Sequence, residues 1–199
     1  EEPIVRAGML SVIGRAYLAI FAYERGVDAL QEAARLYHNA GPEHEAAAVE
    51  VELPLSDALV NLNRLDEAER LVLAIIDSAE RRHDAGDLLD AHRHLAELTM
   101  DAGRWDQAIE HVDRAHALAG ESEAPPMARG RVAMLRGAIL RRLGRRDEAR
   151  ESYTLALELF HESDASVEAS SVLNSLAVLA RNEGRDDAAE RFYRASIEA

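Results

Sequence analysis

The sequence predicts an all-α protein made of stacked helix pairs, and two observations carry this prediction. A six-residue motif returns along the chain, as NRLDEA at 63–68, GRWDQA at 103–108, GRRDEA at 144–149 and GRDDAA at 184–189. Between its copies, apolar residues recur at spacings of three and four, as in AERLVLAIIDSAERR at 68–82. That period is typical of amphipathic helices, and no segment shows the alternation of a strand.

The copies of this turn motif are almost evenly spaced. The alanines that end them, called the turn alanines below, are separated by 40, 41 and 40 residues. A weaker copy, ERGVDA at 24–29, adds a first turn alanine 39 residues earlier. Repetition at such a period is typical of repeat proteins in which each unit buries its apolar face against its neighbours. The turn alanines are Ala29, Ala68, Ala108, Ala149 and Ala189.

The turn motif describes the end of one helix and the start of the next. Gly103, Gly144 and Gly184 lie five residues before a turn alanine, where a helix can end in the left-handed conformation that glycine adopts without strain. Asn63 holds this position in the second copy, and asparagine also tolerates it. Three residues later each of these copies has an aspartate, which we expect to cap the next helix. These aspartates are Asp66, Asp106, Asp147 and Asp187.

Ten helices are expected from the apolar periodicity and the turn positions. Pro54 falls inside the third helix, where its missing N–H predicts a kink near Leu53. The stretch GESEAPPMARG at 120–130 indicates a loop between two repeats, because the repeat continues in phase on both sides. The expected helices run over residues 6–23, 27–39, 44–62, 66–83, 86–102, 105–119, 126–142, 146–161, 165–182 and 186–198.

Two further positions recur relative to the turn alanine. Twelve residues before it lies a small residue in four copies, and four residues after it lies a packing residue. The small residues are Ser56, Ala96, Gly137 and Ala177, with Tyr17 as the exception in the first copy. The packing residues are Ala33, Val72, Val112, Tyr153 and Tyr193. Together with the turn motif, this pattern resembles the tetratricopeptide repeat over about residues 8–199, in a variant with extended helices.

The resemblance implies a right-handed αα-superhelix, or solenoid, of five helix pairs in a single domain over residues 1–199. HEAT and armadillo repeats have a similar length, but they lack the turn motif. We expect the chain to be a fragment of a larger protein, because it does not begin with methionine and no polar helix covers its last apolar helix. The expected repeats cover about residues 8–41, 42–84, 85–121, 125–162 and 163–199.

Composition excludes several classes of function. A net charge of −14 argues against direct nucleic-acid binding, which needs a surplus of basic residues. No cysteine is present for a disulfide or a thiol nucleophile. We find no signal peptide and no apolar run of transmembrane length, and we expect a cytoplasmic protein without membrane contacts. No Gly-rich phosphate loop or metalloprotease motif occurs, so we expect no catalytic residue and no cofactor.

The resemblance also implies where a partner would bind, because fixed positions on the first helix of each repeat line a concave groove. These positions are apolar in the first copy, acidic in the second and third, and rich in arginine and amide groups in the last two. Such a groove suits an extended protein or peptide segment whose acidic groups lie against arginine. The candidate partner-binding residues are Asp57, Asp90, Glu97, Asp101, Arg131, Met134, Arg141, Arg142, Asn174 and Arg181.

Two other features allow alternative interpretations. Asp90, His94 and Glu97 share one helical face and could present ligands to a divalent metal, although a solvated helix face accounts for them as well. Trp105 lies in the third turn motif, where it either anchors a partner or covers the apolar seam between neighbouring repeats. We expect no metal site, since no second set of ligands occurs at a defined spacing.

We therefore predict a non-enzymatic scaffold that binds a protein or peptide segment in its groove. One alternative is the peptide- or ligand-sensing domain of a bacterial transcription regulator or signalling protein. The others are an architectural homo-oligomer whose groove is occluded, and a metal enzyme.

Overall fold

The structure, a computed structural model, describes residues 2–198. These residues form ten α-helices and a single 3₁₀ turn at Pro42–His44, with no strand among them. The all-α class predicted from the sequence is therefore confirmed. The helices are α1 Glu2–Ala19, α2 Tyr23–Ala40, α3 Glu45–Asn61, α4 Leu65–Arg82, α5 Ala85–Asp101, α6 Trp105–Glu121, α7 Pro126–Arg142, α8 Arg146–Glu162, α9 Ser166–Asn182 and α10 Asp186–Glu198.

The chain divides into two compact units, with the boundary between Leu98 and Thr99 inside α5. In the first unit, α1 packs on α2, α2 on α3 and α3 on α4. In the second unit, α7 packs on α8 and α9 on α10, and α8 also contacts α9. The division into five repeats in a single domain stays a prediction.

The turn motif forms the helix connection that its glycines predict. Asn63, Gly103, Gly144 and Gly184 all have a positive φ, between 58° and 77°. In the fourth copy, the N–H of Arg145 donates to the Leu140 carbonyl five residues earlier, at 3.0 Å. This bond satisfies a carbonyl that the helix end would otherwise leave without a donor.

The expected capping role of the aspartates is wrong. The N-cap positions of α4, α6 and α8 are arginines, Arg64, Arg104 and Arg145, whose side chains form no capping bond. The aspartates lie two residues further in, within the first turn of each helix, where the positive end of the helix dipole stabilises their charge. Arg145 instead forms two hydrogen bonds to the Glu148 carboxylate, at 2.7 and 2.6 Å.

The first copy of the repeat lies three residues earlier than its sequence predicts. Its helix connection has Phe21 at φ 59°, and α1 and α2 begin about four residues earlier than expected. The Gly26 N–H donates to the Ala22 carbonyl, as the Ala68 N–H donates to the Arg64 carbonyl. Gly26 therefore takes the place of the turn alanine, and Ala29 does not. A phenylalanine in the left-handed region leaves no glycine or asparagine signal in the sequence.

With this register, the first copy obeys the packing pattern of the others. Gly14 takes the small position twelve residues before Gly26, and Leu30 takes the packing position four after it; Tyr17 and Ala33 do not. A Cβ on Gly14 would lie 2.6 Å from Leu30 Cγ, and a Cβ on Gly137 of the fourth copy would lie 2.7 Å from the Tyr153 ring. Close approach of the paired helices therefore explains the small residue in both copies.

Helix α3 continues through Pro54 from Glu45 to Asn61. A proline cannot donate to the carbonyl four residues earlier, which is that of Glu50. Arg15 from α1 supplies the missing donor, with its Nη2 at 2.9 Å from the Glu50 carbonyl oxygen. The kink near Leu53 stays a prediction.

Gly144→Val lowers the stability of the fold more than Arg145→Ala does. Gly144 has φ 77°, where a β-branched side chain is strained at a cost of about 1–2 kcal/mol, although no atom lies close enough to collide with a new Cβ. Arg145 is exposed, and its pair with Glu148 is screened by solvent. Urea unfolding followed by circular dichroism measures the difference. Equal midpoints for the two variants would contradict the assignment of this turn.

Candidate binding surface

Five polar residues predicted to contact a partner lie on the first helices of the two repeats in the second unit. We call them the basic surface: Arg131, Arg141 and Arg142 on α7, and Asn174 and Arg181 on α9. Four of them are exposed and Arg141 is half-buried, as is the neighbouring Met134. Helices α7 and α9 contact each other, so that these side chains belong to adjacent parts of one unit.

The arginines of the basic surface differ in their partners. Arg131 Nη2 lies 3.7 Å from Glu168 Oε1, a contact that joins α7 to α9. The Arg142 guanidinium lies over the Trp105 ring, with Cζ 5.7 Å from the ring centroid. Among the described residues, neither Arg141 nor Arg181 has an ion-pair partner. Both are therefore available to a carboxylate from outside the chain.

A cavity of about 420 Å³ lies beside Arg141 and Arg142. Trp105, half-buried, forms part of its wall together with Met100 and Asp101. A cavity of this size with an aromatic wall and two guanidinium groups can accommodate a side chain that carries an acidic group. Asp101, which the sequence grouped with the acidic end of the groove, thus lies beside two arginines in the second unit.

The three other predicted acidic residues, Asp57, Asp90 and Glu97, lie in the first unit around Arg93 and His94. Arg93 Nη1 lies 2.8 Å from Glu97 Oε1, and Arg93 Nε lies 3.7 Å from Asp90 Oδ1. His94 Nε2 lies 3.4 Å from Asp57 Oδ1 of the neighbouring α3. These carboxylates contact arginine or histidine side chains of the same unit.

The metal interpretation of Asp90, His94 and Glu97 receives no support from this geometry. His94 Nδ1 contacts the backbone carbonyl of Asp90 at 2.9 Å, and the Glu97 carboxylate is bound to Arg93. In the part of the chain that the structure describes, no group of three histidine or acidic side chains is arranged to hold a metal ion.

Comparison with known proteins agrees with the repeated turn and helix-pair geometry. Residues 129–199 match the tetratricopeptide repeat family. The fold of the chain is that of tetratricopeptide-like repeat proteins. Comparison of the sequence with curated proteins gives no match.

Solved structures share the fold of these tetratricopeptide-like repeats over most of the chain. BtubC (BKLC) from P. vanneervenii is 25% identical with a TM-score of 0.79, over 89% of this chain and 73% of that one. A P. anserina protein with nearly identical TPR-like repeats is 15% identical with a TM-score of 0.77, over 100% and 96%. A Rap protein in complex with competence and sporulation factor is 16% identical with a TM-score of 0.81, over 98% and 54%.

None of the helices in residues 2–198 is both long and apolar enough to cross a membrane. The cytoplasmic location stays a prediction.

His94, on α5 of the first unit, has a pKa shifted by its surroundings. Burial, with 7% of the residue exposed, by itself lowers the pKa of His94. The hydrogen bond to Asp57, the charge of Asp57 and the Asp90 carbonyl together outweigh burial and the nearby Arg93, and they raise the pKa above its ordinary value of 6.5. Nε2 faces the Asp57 carboxylate, and Nδ1 faces the Asp90 carbonyl with Arg93 Nη2 also 3.2 Å away.

The wild type is more stable than Asp57→Asn at low pH, and we expect this difference in the free energy of unfolding to decrease as the pH rises from about 6 to 8. A raised pKa in the folded state means that His94 stabilises the fold fully below its unfolded pKa and loses this contribution as the pH rises through its folded pKa. Urea unfolding at a series of pH values measures the change.

Asp57→Asn is the necessary reference because His116 acts in the opposite direction. Burial, assisted by Arg136, lowers the pKa of His116, so its contribution is present at high pH and is lost on acidification. This contribution is common to both proteins and cancels in the difference. If the free energies of unfolding of the wild type and of Asp57→Asn differ by the same amount at every pH, the role assigned to the Asp57 carboxylate is contradicted.

Two of these arrangements are not predicted by the sequence: the pairing of Asp57 with His94, and the packing of Arg142 on Trp105. Neither arrangement has a local signal, because the partners are 37 residues apart in both cases and meet only when the helices pack. The basic character of α7 and α9, by contrast, is evident from the repeat positions alone.

Proposed function

We propose that the protein is a non-enzymatic binding module that holds an acidic segment of a partner protein or peptide on its basic surface. Arg141 and Arg181 would bind carboxylates of that segment, and Arg131, Arg142 and Asn174 would supply further donors. The cavity beside Trp105 would receive one side chain of the segment. Tetratricopeptide-like repeats, as a class of proteins, commonly act as interaction scaffolds and not as catalysts.

The observation that carries the proposal is the unpaired state of Arg141 and Arg181 in a strongly acidic chain. The net charge is −14, and acidic side chains pair with several other arginines of this unit, as with Arg131, Arg145 and Arg150. Within the described residues, Arg141 and Arg181 are left without such partners on the face that would meet a ligand. Charge-assisted hydrogen bonds to guanidinium are worth roughly 1.5–3 kcal/mol when they are partly desolvated.

The solved structures support a binding role at the level of the fold. A Rap protein with a similar fold has been crystallised in complex with competence and sporulation factor. The chain spans 54% of the length of that Rap protein, so its other activities do not transfer.

Trp105 provides a direct test, because it is the only tryptophan and lines the cavity beside Arg141 and Arg142. Titration with a peptide of alternating glutamate and serine should give a saturable change in tryptophan emission. A matched peptide with glutamine in place of each glutamate should give none. Equal responses to the two peptides at physiological ionic strength, or no binding of either by calorimetry, would refute the proposal.

A ligand-sensing regulatory domain is the second candidate function, favoured by the similarity to the Rap protein in its complex. A sensor must change its conformation when the ligand binds, whereas a scaffold need not. Small-angle scattering with and without the bound acidic peptide separates the two. An unchanged radius of gyration indicates the scaffold, and a change indicates the sensor.

A further inference from the structure

A second cleft lies in the first unit, on helices that carry none of the basic surface. It has a volume of about 550 Å³, with α2 and α4 as its walls and α3 as its floor. Leu55 and Leu59, both buried, form the apolar part of the floor, and Leu71 lies on the α4 wall. Clefts of 300–1,000 Å³ with a largely apolar lining and a few polar groups are typical of ligand sites.

The polar group in this floor is the carboxylate of Glu52. Its side chain is only 11% exposed, and Oε1 lies 2.7 Å from Nε2 of His38 on the α2 wall, which is itself 49% exposed. A buried carboxylate is costly unless cationic or hydrogen-bonding groups surround it. Glu52 thus sits at the bottom of an open cleft with a half-exposed histidine beside it.

The fold does not require a carboxylate at this position. Sixteen residues before the turn alanine, and before Gly26 in the first copy, the equivalent residues are Leu10, His92, Ala133 and Leu173. Ala133 and Leu173 are buried in the core of the second unit. A charged residue where three of the other four copies have an apolar one is the kind of local exception expected at a functional site.

We propose that Glu52 binds a primary ammonium group carried on an aliphatic chain. The ammonium would take the place of solvent beside the Glu52 carboxylate, and the chain would lie on Leu55, Leu59 and Leu71. Such a group is found at the end of a partner's lysine side chain and in free aliphatic amines. Residues 1–199 contain no lysine, so no side chain among them can supply the group.

The surrounding charges fit this assignment. Arg35, at the rim, is neutralised by two hydrogen bonds to Glu32, at 2.8 and 2.7 Å. Arg70, which also lines the cleft, has no ion-pair partner among the described residues and can donate to a carbonyl oxygen of the same ligand. The overall charge of −14 attracts cations to the chain.

The test uses n-pentylamine and Nα-acetyl-lysine N-methylamide as probes, with n-pentanol as the uncharged control. Two-dimensional NMR follows the resonances of His38, Leu55 and Leu59. Both amines should shift these resonances to saturation, and pentanol should not. Glu52→Gln keeps a hydrogen-bonding group for His38, and it should lower the affinity for both amines at least tenfold. Absence of saturable shifts in the wild type, or equal affinities for wild type and Glu52→Gln, would overturn the proposal.

Glu52→Leu separates a binding role from a structural one. If the carboxylate serves binding, this variant should lose the amines and raise the midpoint of thermal unfolding, since an apolar residue replaces a buried charge. A large drop in the midpoint, with His38→Ala giving the same drop, would mean that the pair is structural and would overturn the proposal. If Nα-acetyl-lysine N-methylamide binds at least tenfold more tightly than n-pentylamine, the ammonium group comes from a partner's lysine. If the two affinities are equal, it comes from a free amine.

The inference is independent of the proposed function, because the cleft and the basic surface share no helix and no residue. The acidic peptide can bind at Trp105 when the amines do not bind at Glu52, and the amines can bind when the peptide does not.

Discussion

Gly137→Leu lowers the free energy of unfolding by about 3 kcal/mol. A Cβ on Gly137 would already lie 2.7 Å from Cδ1 and Cε1 of Tyr153. Tyr153 is only 1% exposed and belongs to the core of the second unit, so its ring cannot move aside without displacing its neighbours. Chemical denaturation measures the loss.

The contact between Gly137 and Tyr153 can be isolated by a double-mutant cycle. Other copies of the repeat have the pairs Ser56 with Val72 and Ala177 with Tyr193 at these positions. Gly137→Ala alone should crowd the ring, and Tyr153→Val alone should leave a cavity. The combined variant should recover at least 1 kcal/mol relative to the sum of the two single losses. If the losses of the two single variants simply add in the double variant, Gly137 is not needed to make room for the Tyr153 ring.

Arg141→Glu combined with Arg181→Glu weakens binding of the acidic peptide at least tenfold, lowers its association rate and removes much of its salt dependence. The two substitutions replace available guanidinium groups by carboxylates that repel the ligand. Since Arg141 and Arg181 form no ion pairs among the described residues, their reversal breaks no ion pair of the fold. Calorimetry at two salt concentrations measures the effect.

The matched control reverses two arginines on the second helices of the same unit, Arg146→Glu with Arg191→Glu. Both are exposed, and the change in net charge is identical. Arg150, which its position on a second helix would suggest as a control, is unsuitable, because it bridges Asp147 at 2.8 Å and Glu183 at 2.7 Å between α8 and the end of α9. Equal losses of affinity for the two double variants would show that binding occurs elsewhere.

The helices from α3 to α10 begin and end within two residues of the positions predicted from the sequence. Their signals are local. Glycine or asparagine allows the left-handed helix end, and apolar residues at a helical period mark the buried face. Phe21 gives no such local signal, and for this reason the predicted position of the first repeat differs from the observed one by three residues.

The candidate site was predictable only in part, for the same reason. Repeat positions place Arg131, Arg141, Arg142 and Arg181 on first helices, and the structure agrees. Which of them is free to bind depends on partners elsewhere in the chain, such as Glu168 for Arg131 and Trp105 for Arg142.

The sequence by itself determined the all-α class, the repeat and the charge of each first helix, because these depend on backbone conformations and periodicities within a few residues. Only the tertiary structure decided that Asp57 faces His94, that Arg15 donates to the carbonyl left open by Pro54, and that Glu52 lies at the bottom of a cleft. Each of these arrangements joins side chains from different helices. Their distances are set by how closely the helices pack, which in turn depends on small residues such as Gly14 and Gly137.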